Sequence, residues 1–238
     1  MLKEIPTQCV VLVGGKGTRL GDLTAQTPKP LLTVGGLPFL DYLIEYIQDQ
    51  GCESILLLAG HQGAQICEHY RTKTRRGVPI ECVIEREPAG TAGSLILARE
   101  RLHEQFFVCN GDSIFKIDFS ELASIPSAAS WQAKLALRRV TNPGRYGSVA
   151  LDGSRVTGFC EKGATGESLI NGGVYVFRKS VLESIERTPS SLEQDVFPKL
   201  IKSGTLFAGQ FDRFFIDIGV PTDFDRAQTL MPHEFSYL

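Results

Sequence analysis

Short apolar segments alternate with amphipathic segments along the first half of the chain. The apolar segments have the length and the β-branched composition of strands buried on both faces, whereas the amphipathic segments repeat their apolar residues at helical spacing. These patterns predict strands at 9–13, 54–59, 80–84 and 106–110, with helices between them at 39–50, 62–73 and 91–102. The alternation predicts an α/β fold with a doubly wound, mainly parallel, Rossmann-like mixed sheet and helices on both of its faces.

The second half of the chain shows shorter strand patterns and two helical patterns. They predict strands at 133–138, 148–151, 156–160, 172–177 and 214–217, and helices at 179–186 and 193–203. No Pro- or Ser-rich linker, low-complexity run or internal repeat separates the two halves. We therefore expect a single domain over residues 1–238, in which a first half (about 1–112) and a second half (about 113–238) border one cleft.

Composition and charge narrow the class of protein. Of the 238 residues, 42% are hydrophobic and 22% are charged, and the net charge is −2. A nucleic-acid-binding surface usually shows as an excess of basic residues, so this charge argues against a nucleic-acid partner. The first eight residues lack a signal-peptide pattern, and no apolar run reaches the roughly 18 residues of a membrane span. We therefore expect a cytoplasmic protein that does not associate with a membrane.

The cysteines are spread singly through the chain without a C-x-x-C pair. Most of them lie in apolar segments that resemble strands. This distribution is typical of small, reduced core residues in a cytoplasmic protein. The residues concerned are Cys9, Cys52, Cys67, Cys82, Cys109 and Cys160.

A glycine-rich loop follows the first predicted strand and has the features of a phosphate-binding site. Gly14, Gly15 and Gly17 tolerate positive φ angles and have no Cβ, so successive backbone N–H groups can point at an anion. Arg19 adds a planar set of donors that matches phosphate oxygens, and Lys29 is a point charge stiffened by a proline on either side. Two cations beside such a loop indicate a polyphosphate ligand.

This loop differs from two other phosphate-binding motifs. A dinucleotide-binding G-x-G-x-x-G would need glycine where this chain has Leu20. A P-loop would need Ser or Thr after Lys16, where this chain has Gly17. The remaining alternative is an ordinary strand-to-helix turn, but such turns are usually 2–6 residues long and do not need these glycines and cations together.

The loop resembles the signature of a known enzyme family. G-G-K-G-T-R-L followed by T-P-K-P-L-L is similar to the signature of the sugar-phosphate nucleotidyltransferases, also called nucleotide-sugar pyrophosphorylases. The similarity continues in the family's order through E-R-E-P-A-G-T-A-G-S (85–94), N-G-D (110–112), E-K (161–162), N-G-G-V-Y (171–175), L-E-Q-D-V-F-P (192–198) and F-I-D-I-G-V-P (215–221). The chain most resembles the short guanylyltransferases that act on mannose 1-phosphate or D-glycero-D-manno-heptose 1-phosphate.

The resemblance implies a reaction and a set of site residues. Enzymes of this family join a nucleoside triphosphate to a sugar 1-phosphate and release pyrophosphate, with Mg²⁺ as the cofactor. Catalytic roles then fall to Arg19, Lys29 and Lys162. The resemblance implies nucleotide-binding roles for Gly14, Gly15, Gly17, Thr18, Glu85, Gly90 and Thr91, and sugar-binding roles for Gly147, Glu161 and Asn171. The E-K pair would otherwise be a surface ion pair.

Asp112 and Asp217 are the predicted metal ligands. Each follows an apolar strand pattern and has a glycine nearby that lets a ligand approach. Carboxylate oxygens suit Mg²⁺, and in the resembling family the corresponding residues hold Mg²⁺ between the nucleotide and the sugar phosphate. Outside such motifs, a single Asp at the end of a strand is usually a turn residue or a helix cap.

Glu85 is the predicted base-reading residue. A carboxylate only accepts hydrogen bonds, and guanine offers adjacent N1–H and N2–H donors, whereas uracil and thymine present carbonyl oxygens on either side of N3–H. The sequence therefore favours GTP. Cytosine also offers an amino donor, so a cytidylyl- or uridylyltransferase of the same fold remains an alternative.

The sequence leaves other functions of this fold open. Related enzymes transfer a nucleotide to phosphocholine or to a molybdenum pterin, although N-G-G and E-K match the sugar-binding part of the pattern. A catalytically inactive regulatory subunit that binds a nucleotide sugar is a second alternative. Many relatives carry a C-terminal left-handed β-helix, which we do not expect here because the chain ends shortly after Asp217. The sequence is also compatible with a homo-oligomer.

Overall fold

The structure is a computed structural model that describes most of the chain. The described residues are 5–71, 77–125, 130–141, 144, 146–160 and 166–238. Two predicted acceptor residues, Glu161 and Lys162, lie outside these ranges.

Strands and helices alternate along the first half of the chain, as the sequence predicts. In chain order they are β1 (Gln8–Val13), β2 (Thr33–Val34), β3 (Leu37–Pro38), α1 (Phe39–Asp49), β4 (Ser54–Ala59), α2 (Gly63–Tyr70), β5 (Ile80–Ile84), α3 (Gly90–Leu97), β6 (Gln105–Asn110) and β7 (Ser113–Phe115). A 3-10 helix at Arg99–Arg101 follows α3, so the helix predicted at 91–102 is shorter than expected.

The second half is richer in strands. Its elements are α4 (Phe119–Ala123), β8 (Ala133–Thr141), β9 (Ser148–Asp152), β10 (Arg155–Cys160), β11 (Glu167–Arg178), α5 (Phe197–Lys202), β12 (Leu206–Phe211), β13 (Phe215–Asp217) and α6 (Pro221–Glu234). The segment predicted as a helix at 179–186 is a 3-10 helix over Lys179–Ser184. The helix predicted at 193–203 begins as a π-helical turn, Leu192–Val196, because Pro198 has no N–H to continue a regular α-helix through it.

Strands from both halves pair in a single mixed sheet. Within the described residues, nine strands pair in the order β5-β4-β1-β6-β11-β8-β12-β10-β9. The pairings among β5, β4, β1 and β6 are parallel, whereas β11 runs antiparallel to β6 and β8. The predicted α/β mixed sheet is confirmed, and its parallel part lies mainly in the first half.

The two faces of the sheet are covered by different helices. Successive side chains of a strand point to opposite faces, and in β1 Val11 packs with residues of α1, α2, α4 and α6 while Val10 packs with residues of α3 and α5. Both valines are fully buried. The helices on both faces therefore leave the ends of the strands as the open side of the sheet. None of the helices in the described ranges is both long and apolar enough to span a membrane.

The cysteines only partly match the prediction of reduced core residues. Cys9, Cys52 and Cys109 are buried and free, as expected. Cys67 and Cys82, however, form a disulfide that joins α2 to β5, and their Cα atoms lie 5.7 Å apart. The packing of α2 against β5 brings this pair within disulfide range, which the spacing of the residues in the sequence did not indicate. Cys160 is also not a core residue, because it is exposed at the end of β10.

Candidate active site

A cavity of about 390 Å³ lies at the carboxyl ends of the parallel strands. The loop after β1 contributes Gly14, Gly15 and Lys16, and the residue after β5 contributes Glu85. The carboxyl ends of neighbouring parallel strands meet at one edge of a sheet, which is where doubly wound folds bind their ligands. The remaining lining comes from both sides of the strand ends: Leu12, Val13, Lys29, Pro30, Leu58, Pro88, Gly90, Thr91, Ser94, Asn110, Gly111 and Asp112.

The glycines of the loop after β1 have different roles. Gly17 has a φ angle of 66°, and a Cβ at this position would lie 2.8 Å from Thr24 Cγ2, so both the backbone and the packing require glycine. Gly14 and Gly15 do not have positive φ angles, contrary to the expectation for the whole loop. A Cβ at Gly14 would lie 3.2 Å from Glu85 Oε1, whereas Gly15 faces open space. Their contribution is the absence of a side chain beside the cavity.

The next residues of the loop lie on the surface. Thr18 and Arg19 begin a 3-10 helix, Thr18–Thr24, and both are exposed. Neither is among the described residues that line the cavity. Lys16, which received no role from the sequence, does line it, although its position between two glycines of the motif was a signal that could have identified it.

Lys29 is fixed at the wall of the cavity. It begins a 3-10 helix, Lys29–Leu31, and only 8% of the residue is exposed. Its Nζ donates a hydrogen bond to Asp112 Oδ2 over 2.7 Å, and a buried ammonium group needs such a partner. The side chain of Asp112 is 42% exposed, so a solvent-accessible carboxylate lies beside a buried cation.

The second predicted metal ligand lies next to the first. In the small antiparallel sheet of β7 and β13, Asp217 pairs with Ser113, the residue that follows Asp112. The hydroxyl of Tyr146 donates to Asp217 Oδ2 over 3.1 Å, and the Gly219 N–H donates to Asp217 Oδ1 over 2.5 Å. These bonds orient the carboxylate, and the sequence had assigned no role to Tyr146.

The donor set fits a divalent cation. A Cβ at Gly219 would lie 2.6 Å from Asp217 Oδ1 and 3.3 Å from Lys29 Nζ, so the ammonium group lies close to both carboxylates. In the described part of the chain, no group of three or more His, Cys, Asp or Glu side chains could hold a metal ion. Two carboxylates are nevertheless a common protein contribution to Mg²⁺, which completes its octahedral shell with water and substrate phosphates. Asp112 and Asp217 would be the ligands.

Glu85 lines the same cavity as Lys29 and Asp112. It follows β5 directly and is half-buried, and its Oε2 accepts a hydrogen bond from the Ala89 N–H over 3.1 Å. Its Oε1 lies on the side of Gly14, where the cavity begins. One oxygen of the carboxylate is therefore held by the backbone, which fixes the orientation of the other.

The start of α3 is clamped by a loop from the second half. Gly90 has a φ angle of 76°, and a Cβ there would collide with the carbonyl oxygen of Ser190. That carbonyl accepts hydrogen bonds from the Ala92 and Gly93 N–H groups over 2.9 and 3.3 Å. Thr91 Oγ1 accepts a bond from the N–H of Leu192 over 2.9 Å. Gly90 and Thr91 line the cavity as predicted, but their motif also serves this contact between the halves.

Two of the predicted sugar-binding residues, Gly147 and Asn171, lie in or beside strands of the second half. Gly147 immediately precedes β9, and a Cβ there would lie 3.1 Å from the carbonyl oxygen of Cys160, the last residue of β10. Asn171 lies in β11 and is half-buried. Its Nδ2 donates to Tyr175 and to Glu193, over 2.9 and 3.0 Å. Asn171 is therefore already bonded to the protein, and the sequence had assigned Glu193 no role in the site.

Tyr175 connects this side to the floor of the cavity. Its side chain is fully buried, and burial together with the negative charge of Glu193 raises the pKa of Tyr175 far above its ordinary value. The hydroxyl bonds to Asn171 and also to Asn110, which lines the cavity. The neutral phenol thus links the two asparagines.

The chain is similar in sequence and in structure to several known proteins. The chain is 36% identical over 224 residues to the mannose-1-phosphate guanylyltransferase catalytic subunit beta of Drosophila melanogaster, covering 92% of this chain and 61% of that protein. It is 34% identical over 228 residues to the D-glycero-alpha-D-manno-heptose 1-phosphate guanylyltransferase of Aneurinibacillus thermoaerophilus, covering 95% and 99%. The crystal structure of HddC from Yersinia pseudotuberculosis complexed with GMP-PN has a TM-score of 0.84 and 31% identity, covering 94% and 99%.

The match to a family model covers almost the whole chain. Residues 8–234 match the family described as nucleotidyl transferase, a range that includes the glycine loop, both aspartates and α6. The resemblance inferred from the sequence motifs is confirmed. The chain belongs to the nucleotidyl transferase family.

Proposed function

We propose that the protein is a guanylyltransferase that joins GTP to a sugar 1-phosphate of the mannose or heptose type and releases pyrophosphate. The observation that carries this proposal is the cavity at the strand ends. It brings the loop after β1, Glu85 and the Lys29–Asp112 pair around one space. The names of the relatives, which are 34–36% identical guanylyltransferases for mannose and heptose 1-phosphates, support the choice of substrates.

The reaction needs charge stabilisation more than proton transfer. An oxygen of the sugar 1-phosphate, already an anion at neutral pH, attacks the α-phosphorus of GTP, and the bond from that phosphorus to the pyrophosphate oxygen breaks. No general base is required. Lys16 and Lys29 at the cavity, with Arg19 on the adjoining surface, would offset the charge of the triphosphate and of the departing pyrophosphate.

The aspartate pair defines the proposed metal site. Nucleotidyltransferases of this family typically use a divalent metal, and we propose Mg²⁺ held by Asp112 and Asp217. When bound, the metal would act as a Lewis acid that offsets the negative charge of the phosphates. Tyr146 and Gly219 would keep the carboxylate of Asp217 oriented for this role, and Lys29 would keep that of Asp112.

The acceptor phosphate would bind on the second-half side. Lys162 is proposed as its cation, and Glu161 and Gly147 as contacts of the sugar. Gly147 packs against the carbonyl of Cys160, the residue that precedes Glu161 in the chain.

Substrate profiling tests the proposal. Five nucleoside triphosphates would be combined with a panel of sugar 1-phosphates in the presence of Mg²⁺, and pyrophosphate release would be measured. We expect the highest kcat/KM for GTP with a mannose- or heptose-type 1-phosphate. Turnover with CTP or UTP in preference to GTP would overturn the base assignment, and no turnover of any pair would favour a regulatory subunit.

A further inference from the structure

A bulge in β11 brings the second half of the chain against the metal-binding strand end. The pairing of β11 with β8 shifts between Asn171 and Tyr175. Within this bulge Gly173 has a φ angle of 73°, and a Cβ there would lie 2.8 Å from Asn110 Nδ2 and 2.8 Å from Ser113 Oγ. These two residues flank Asp112 in the sequence, so the bulge packs against the segment that carries Asp112.

The amide group of Asn171 is fully engaged by the protein. Its Oδ1 accepts the Gly173 N–H over 3.1 Å, and its Nδ2 donates to the Tyr175 hydroxyl and to Glu193 Oε1. An asparagine amide has two N–H donors, and both are used here. Asn171 would have to break one of these bonds before it could donate to a sugar hydroxyl.

Glu193, by contrast, keeps unused hydrogen-bonding capacity. It is exposed, and its bond to Asn171 uses one of its two carboxylate oxygens, whereas an ionised carboxylate can accept about four hydrogen bonds. Two contacts fix its position. Its side chain bonds to Asn171, and the preceding residue, Leu192, donates its N–H to Thr91 at the start of α3. The result is an anchored acceptor group that follows a residue bonded to Thr91, which lines the cavity.

The charges around the cavity decide which part of a substrate suits Glu193. Lys16 and Lys29 lie on the side of β1, where anionic phosphates are favoured. Glu193 is connected to this cavity by hydrogen bonds, because it bonds to Asn171, and Asn171 bonds to the Tyr175 hydroxyl. That hydroxyl also bonds to Asn110, which lines the cavity. A carboxylate repels phosphate and accepts hydrogen bonds from hydroxyl groups, so this position suits the uncharged, hydroxyl-bearing part of a substrate.

We propose that Glu193 binds the sugar of the acceptor, and that Asn171 acts as a positioning residue that holds the Glu193 carboxylate. The free carboxylate oxygen accepts hydrogen bonds from sugar hydroxyls and so contributes to the choice among sugar 1-phosphates. This inference rests on the proposed function, because it requires a sugar 1-phosphate as the acceptor.

The substitution Glu193→Gln tests the inference with little change of shape. The glutamine oxygen can still accept the bond from Asn171, so the fold and the melting temperature should be retained. Losing a hydrogen bond to a charged group should raise the KM for the sugar 1-phosphate by roughly 10- to 100-fold, with the KM for GTP unchanged within about twofold. Among deoxy analogues of the acceptor, one should lack the hydroxyl that Glu193 contacts. For that analogue, the acceptor KM of the wild type and that of the variant should differ by less than about threefold.

Two neighbours in the same turn serve as matched controls. Asp195 accepts the Ser191 N–H over 2.7 Å and pairs with Arg187, so Asp195→Asn should lower the melting temperature without changing either KM. Gln194→Ala, at an exposed position, should change neither property.

The outcomes separate this inference from the proposed function. Wild-type turnover of GTP with a sugar 1-phosphate, together with an unchanged acceptor KM in Glu193→Gln, would overturn the inference alone. An increase in the KM for GTP would also overturn it, because Glu193 would then act on the nucleotide. An equal increase in the acceptor KM with every deoxy analogue would overturn it too, because Glu193 would then act only through Asn171. Absence of wild-type turnover would overturn both.

Discussion

The substitution Glu85→Gln should change the base preference of the enzyme. The Ala89 N–H lies 3.1 Å from Glu85 Oε2, so a glutamine would turn its carbonyl oxygen toward that donor and its amide NH₂ toward the cavity. There the NH₂ would face the N1–H and N2–H donors of guanine. The variant would therefore replace an acceptor with a donor at the proposed base-reading position.

The size of the effect follows from the bonds that are lost. A hydrogen bond to a charged group contributes about 1.5–3 kcal/mol, which corresponds to roughly 10- to 150-fold in kcat/KM. We expect a loss of this size for GTP. For UTP the amide NH₂ can donate to a carbonyl oxygen, so its kcat/KM should rise or stay constant, and the GTP-to-UTP ratio should fall by at least tenfold.

Competition assays with mixed nucleotides would measure this ratio directly, with nucleotide-sugar products separated by chromatography. Glu87→Gln is a suitable control, because Glu87 is an exposed carboxylate two residues away and outside the cavity lining among the described residues. An unaltered GTP-to-UTP ratio in Glu85→Gln would refute the assignment of Glu85 to the base. A wild-type preference for CTP would refute it as well.

Five further substitutions test other parts of the site. Asp217→Asn, like Asp112→Asn, should lower kcat by on the order of 10³-fold with a nearly unchanged Kd for GTP, because the proposed metal would stabilise the transition state. Full turnover in excess chelator would contradict this. Arg19→Ala should reduce kcat by roughly 10²-fold if its guanidinium meets the departing pyrophosphate, and unchanged pre-steady-state rates would remove it from the mechanism. Gly90→Ala should cost about 1–3 kcal/mol in urea unfolding, since its φ angle is positive and its Cβ meets Ser190, whereas Gly15→Ala should be close to neutral.

The parallel half of the sheet could be predicted because its strands are short, apolar and bounded by polar turns. A buried strand such as β4 is recognisable because nearly all of its residues are apolar, and the predicted bounds of 54–59 match the observed ones. α6 was missed because its buried positions, Phe224, Ala227 and Met231, are sparse and prolines stand near both of its ends. β12 was missed because Gly209 interrupts its apolar pattern.

The candidate site was predictable where it depends on local motifs. Lys29 and Asp112 line the cavity, and Gly17 has the positive φ angle expected for the loop, because the glycine loop and the strand ends are local features. The contacts of Gly90 with Ser190 and of Asn171 with Glu193 join residues that are distant in the chain, and only the packing of the two halves reveals them.

The burial of Lys29 has a consequence for the entropy of substrate binding. A free lysine side chain loses rotamer freedom equivalent to about 1.5–2 kcal/mol when it is immobilised. In Lys29 this freedom is already lost on folding, because the side chain is 9% exposed and bonded to Asp112. A phosphate that reaches the cavity therefore meets a preorganised cation and need not order it, whereas the exposed Lys16 must still be ordered on binding. The two lysines thus offer the same charge at different entropic cost.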